Sequence, residues 1–207
     1  MTRREFFSTV LATGVIRSAS APPLVVPVRL VIDGRPHWRP DQIPRFWTRM
    51  WPQAAGDLAS GGIRLETSVT TGEVRRSPGG RPIFIGLDRS MLNLVITDQI
   101  PMVWDRARAL SGVTTRYQGY HICVVALNYA HGHQIPFLSV NTCLHELLHA
   151  LLQDIFEDRP AGLPGATREF RVDWYATRLW LFHDGAHIRQ WAKAYVERLR
   201  WEVASRS

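Results

Sequence analysis

Asn141-Thr142-Cys143-Leu144-His145-Glu146-Leu147-Leu148-His149-Ala150-Leu151-Leu152 is the stretch on which the reading of this 207-residue chain turns. It is apolar at helical spacing, and Ser139 or Asn141 is placed to cap its first turn. Residues four apart lie on one helix face, so His145 and His149 can bring two imidazole nitrogens to one cation. Glu146 then projects toward the adjoining side, where a base would act on a bound substrate. The plain alternative is a chance H-E-x-x-H, which arises in roughly one chain in a hundred of this kind.

Zinc with two histidines needs a third protein ligand and leaves one position open. About twenty positions on, Arg168-Glu169-Phe170-Arg171-Val172-Asp173-Trp174-Tyr175-Ala176 is again helical in pattern, with Glu169 and Asp173 on one face. Glu169 is the preferred third ligand. Asp173 is the candidate to accept the free ring N–H of a ligating histidine, with Asp173 as ligand the alternative. Asp154, Glu157 and Asp158 are read as solvated surface, since Asp154 continues the same helix and cannot easily swing back. Glu146 is the expected general base. Tyr120, Tyr175, His183 and His187 are candidates for a proton donor or oxyanion partner, and none of them stands out.

At these residues the chain resembles the gluzincin type of zinc metallopeptidase, in which H-E-x-x-H is followed by a helix bearing E-x-x-x-D, here Glu169 to Asp173. The resemblance is specific for residues 139 to 180 only. It lacks the glycine and third histidine of metzincins after His149. It implies a zincin-like domain over residues 22–207, a zinc cofactor, a peptide or protein substrate, and a sheet whose edge strand aligns that substrate. Tyr120 to Asn128 is the expected edge strand, as the last strand before the motif. Two other functions fit the same residues: a zincin-like domain that binds peptide or protein without cutting it, and a zinc amidohydrolase acting on a non-peptide substrate.

Before the motif, Leu24 to Ile32 reads as a strand ending at Asp33-Gly34, and residues 41 to 60 as a helix kinked or split at Pro52. Ile63 to Val69 alternates as a half-buried strand, and a turn-rich hairpin region runs through Pro78-Gly79-Gly80. Pro82 to Leu87 and Leu92 to Thr97 are further strands, with a short helix near Val103 to Leu110. Ile188 to Val203 reads as a closing amphipathic helix. The order predicts an α+β fold: a small mixed sheet, an active-site helix and a C-terminal helical part.

His131 and His133 fall in a stretch read as a loop near the cleft. His183 and His187, although four apart, are separated by Gly185 and are not expected to share a helix face. Cys123 and Cys143 fit either one disulfide or two buried free thiols, and neither a disulfide framework nor a cysteine-rich zinc site.

Thr2-Arg3-Arg4-Glu5-Phe6-Phe7, a weakly apolar run to Ile16 and the small residues Ser18-Ala19-Ser20-Ala21 resemble a bacterial twin-arginine export signal. That reading makes residues 1–21 an address and places the product free in the periplasm or outside, with no early cysteine to carry a lipid anchor. The formal charge is +7, carried almost wholly by arginine with Lys193 the single lysine. No basic run interleaved with aromatics marks a nucleic-acid surface, and no apolar stretch reaches the length of a membrane span.

Overall fold

In the computed structural model the described residues are 22–36, 38–98, 100, 111–127, 133–135, 138–152 and 165–206. The proposed export signal, the helix expected near Val103 to Leu110, and His131, Asp154, Glu157 and Asp158 lie outside them.

Six strands form one mixed sheet: β1 (Leu24–Asp33), β2 (Ile63–Arg76), β3 (Pro82–Ile85), β4 (Leu92–Thr97), β5 (Gly112–Tyr117) and β6 (Tyr120–Ala126). Their order is β3-β2-β1-β4-β6-β5. The four inner strands run parallel, and each outermost strand is antiparallel to its neighbour. Inner parallel strands are covered on both faces, which requires continuous apolar runs. Accordingly every residue of β4 is buried, as is all of β6 after Tyr120.

This order corrects the expectation that Tyr120 to Asn128 forms the edge. β5 pairs outside β6 through the two-residue turn Gln118-Gly119, whose φ angles of 48° and 82° are both positive. That pair of left-handed residues matches the right-handed twist of a tight hairpin. Nor is β6 the last strand before the motif. A small hairpin of β7 (His133–Ile135) and β8 (Leu138–Val140) follows it, so His133 sits in a strand rather than a loop.

The stretch read as one interrupted helix is α1 (Gln42–Arg45), a wider π turn over Phe46–Met50, and α2 (Trp51–Ser60). Pro52 has no N–H to give the Thr48 carbonyl, and the looser turn just before it accommodates that loss. α3 (Thr142–Leu151), α4 (Gly165–Phe182) and α5 (Ala186–Ala204) complete the fold. Gly185 does separate the last two helices, and His183 ends α4 in a left-handed conformation at φ 50°. None of the described helices is long and apolar enough to cross a membrane.

The main core lies between one sheet face and the helices. Val26, Val28, Leu30, Leu92, Leu94, Ile96 and Val125 meet Phe46, Leu58, Leu144, Leu147, Leu148, Leu151, Val172, Leu179 and Tyr195. Alternate strand residues, Val31, Val95, Ile122, Val124 and Ala126, form a second cluster on the opposite face with Val74 and Phe84. Burying a leucine completely contributes about 2 kcal/mol, so α3, with Leu147, Leu148 and Leu151 fully buried, is held by its apolar face.

Candidate metal centre

α3 starts where the sequence predicts. Asn141 has extended backbone geometry, and its side-chain oxygen accepts from the Cys143 N–H at 2.9 Å. Its amide nitrogen donates to the Met50 carbonyl at 2.6 Å, fixing the start of α3 to the end of the π turn. The helix packs on β5 and β6 below it and on α4 beside it.

This packing brings three donor atoms together. His145 Nε2 and His149 Nε2 lie 3.0 Å apart, and the Glu169 carboxylate is 3.0 Å from the first and 3.4 Å from the second. A tetrahedral zinc with ligands at about 2.1 Å requires ligand atoms about 3.4 Å from one another. The trio therefore fits such an ion in donor type and in spacing, and all its ligand atoms fall within 4.8 Å. Asp173 Oδ1 stands 3.3 Å from His145 Nδ1, on the ring's far side. Glu169 rather than Asp173 therefore stands with the two ring nitrogens, and Asp173 lies behind the His145 ring.

The charges respond to this crowding. Burial opposes a charged ring on His145, but the hydrogen bonds to Asp173 and Glu169 outweigh it and raise the pKa to about 9. The same hydrogen bonds from His145 and His149 hold the Glu169 carboxyl far below its usual range against partial burial. The carboxylate is thereby kept ionised beside the His145 ring.

Glu146 lies on the strand side of α3, almost fully buried. Burial raises its pKa, while His145, His149 and a hydrogen bond from Thr114 pull it back down. Thr114 of β5 places its Oγ1 2.6 Å from Glu146 Oε2 and 2.9 Å from the Glu146 carbonyl. Two positions earlier on β5, a Cβ on Gly112 would overlap the Glu146 carboxyl group. Gly112 and Thr114 together form the seat of this carboxylate, and sequence reading missed both. The one available signal was the Gln118-Gly119 turn, which announces a hairpin and hence a strand before Tyr120.

The remaining candidates lie elsewhere. Tyr120 faces Arg89, whose guanidinium stacks 5.0 Å from its ring centroid. Tyr175 packs at the edge of the main core. His183 and His187 are exposed at the turn between α4 and α5 and do not join the cluster. Cys123 and Cys143 are free thiols, both fully buried, and burial pushes the Cys143 pKa up to about 12.

A second polar cluster sits behind the sheet's β5 end. Glu202 of α5 accepts from Arg116 at 2.7 Å and approaches His121 at 3.4 Å, while His121 Nδ1 meets the Tyr195 hydroxyl at 3.0 Å. It holds β5 and β6 to α5.

No protein-family model, no curated protein and no solved structure matches this chain.

Proposed function

We propose that this chain is a zinc-dependent hydrolase with a zincin-like domain, that it cuts peptide bonds, and that it acts after export through a twin-arginine-like signal. The observation that carries the reading is the convergence of His145, His149 and Glu169 on one point, with a buried carboxylate, Glu146, directly after His145 on the same helix. His145, His149 and Glu169 would hold the ion, and Asp173 would keep the His145 ring in its ligating orientation. A zinc ion there would supply Lewis acidity, making a water acidic near neutral pH and polarising a carbonyl.

Glu146 takes the proton of the attacking water and returns it to the leaving nitrogen. Its burial raises its affinity for that proton, and Thr114 fixes where the carboxylate points. Among the described residues β5 has no strand on its outer side, so its main-chain N–H and C=O groups are available to an extended peptide.

The test is elemental analysis of protein purified without chelator, followed by turnover on a mixed peptide library. Wild type should carry about one zinc per chain. Glu169→Ala and His149→Ala should lose it, and Glu146→Gln should keep it while turnover falls at least about a hundredfold. Full activity in Glu146→Gln, or wild type that takes up no zinc, refutes the reading.

A further inference from the structure

We propose that Arg116, Arg198 and Arg206, grouped at the end of β5 away from the metal cluster, form a subsite for an acidic side chain of a peptide paired with the outer edge of β5. This subsite rests on the peptidase reading above for its ligand being a peptide, while the acidic preference comes from the arginines themselves.

β5 ties the two places together. Side chains alternate along a strand, so Gly112, Thr114 and Arg116 share one face. Gly112 and Thr114 lie against Glu146, and Arg116 follows about 13 Å along the strand from Gly112. Arg116 stands opposite His121 of β6, and its guanidinium donates to Glu202 at 2.7 Å. Arg198 and Arg206 approach the same carboxylate from one turn before and one turn after it on α5, at 3.8 and 3.7 Å. Arg206 also donates to the Gly119 carbonyl at 3.4 Å, which lays it over the turn joining β5 to β6.

The charges in this group do not balance. Three guanidiniums turn to one carboxylate, so the four side chains together carry +2. Burial lowers the His121 pKa to about 4 and raises that of Tyr195, so both are neutral near pH 7 and offset none of it. The Glu202 side chain is 9% exposed, whereas those of Arg116, Arg198 and Arg206 are 28%, 31% and 39% exposed, so the positive charge is what faces water. A guanidinium has more N–H donors than one shared carboxylate can use, and its planar fork matches a second one.

A peptide strand can bring that second carboxylate. Among the described residues no strand lies outside β5. Residues directly opposite in an antiparallel pair share a face with Cβ atoms about 5 Å apart, so the peptide residue opposite Arg116 sets its side chain beside the guanidinium. Antiparallel pairing is the more stable per residue, and it makes this residue precede, by about four positions, the one opposite Gly112 at Glu146. Aspartate or glutamate there gains an opposite-charge pair, and lysine meets like charge.

The test is an NMR titration of the full-length, nitrogen-labelled protein, read at the β5 amides and kept in chelator so that no turnover is needed. The probes are blocked, otherwise neutral peptides of about ten residues in which each position in turn carries Glu, Gln or Lys. At one position Glu should bind about fivefold tighter than Gln, and Lys more weakly than Gln, and the difference should shrink in ~1 M salt. Arg116→Gln and Arg206→Gln should each bring the Glu peptide down toward the Gln peptide, and Arg116→Lys should keep part of the advantage. Arg206 is the more exposed of the two, so its variant keeps the test decisive if Arg116→Gln does not fold. A Glu preference equal at every position reports only attraction to a basic protein and overturns the proposal. A preference that both variants retain overturns it too, as does an absence of peptide binding. In peptides cut by the zinc-loaded wild type the acidic residue should stand about four positions before the broken bond, and an acid favoured only after that bond overturns the assignment. Position-specific Glu binding by a wild type that takes up no zinc supports the subsite and refutes only the hydrolysis, whereas zinc-dependent turnover without any Glu preference does the reverse.

Discussion

Replacing Gly112 with alanine tests the seat of Glu146 directly. Gly112 does not have a left-handed φ, so an alanine backbone fits there without strain. The added methyl meets Glu146 first, since the three nearest atoms to it are Oε1, Cδ and Cγ of that residue. Overpacking of this kind costs about 1–3 kcal/mol. With a urea slope of about 2 kcal/mol per molar for a chain of this size, the midpoint should fall by roughly 0.5–1.5 M. In a Glu146→Ala background the obstruction is gone, and exchanging glycine for alanine should be neutral or stabilising by up to about 1 kcal/mol. The assay is urea unfolding of the four proteins of this cycle with chelator present, so that no metal contributes. The coupling between the two sites should then be about 1–3 kcal/mol in favour of the double variant. If the two single effects add within about 0.5 kcal/mol, Glu146 does not lie against β5 and the description of the carboxylate's seat is wrong.

Three further outcomes are expected. Asp173→Asn should bind zinc about 10–100-fold more weakly than wild type yet still bind it, as competition with a chromophoric chelator would reveal; unchanged affinity would remove Asp173 from its orienting role. His145 has a folded pKa of about 9, above the 6.5 of a free histidine, so its contribution to the metal-free protein is complete below pH 6.5 and is lost as pH rises through 9. Unfolding of the chelated protein should therefore lose up to roughly 3 kcal/mol across that window, and zinc affinity should rise across it as the proton leaves; a flat profile for both would contradict the assignment. His121, lowered to about 4 chiefly by burial against the opposing pull of Glu202, stays neutral, so its contribution is present above pH 6.5 and is lost as pH falls toward 4. Its ring should titrate near pH 4 by NMR in the folded protein, and a midpoint near 6.5 would show that it is not buried as described.

The parts of the fold legible in the sequence were those whose residues carry their own periodicity. β1, β4 and β6 are buried runs of Val, Leu and Ile, and α3 and α4 repeat apolar residues at helical spacing, so each follows from local pattern. β5 did not, because an edge strand buried to only an intermediate degree along Gly112-Val113-Thr114-Thr115-Arg116-Tyr117 needs no apolar alternation. β2 runs seven residues past Val69 for the same reason: Thr70-Thr71-Gly72-Glu73 reads as a turn but is held extended by β1 on one side and by the β3 hairpin that begins at Glu73 on the other. The pairs His145/His149 and Glu169/Asp173 were legible because helix geometry puts each pair on one face, whereas their meeting depends on how the two helices pack. Thr114 and Gly112 were not, since their relation to Glu146 exists only once a strand from one part of the chain lies beneath a helix from another.

The Asn141 side chain reaches back 91 positions to the Met50 carbonyl, and the first strand pairs with two that are made much later. Non-local parallel pairing of this kind is slow, because the chain must close long loops before any contact repays the lost freedom. His145, His149 and Glu169 all come after this framework in the order of synthesis. While the chain is still emerging from the ribosome, the strands beneath α3 can be made, but Glu169 cannot yet meet the two histidines. The proposed zinc would then be a late arrival on a nearly finished scaffold rather than the nucleus around which the chain folds.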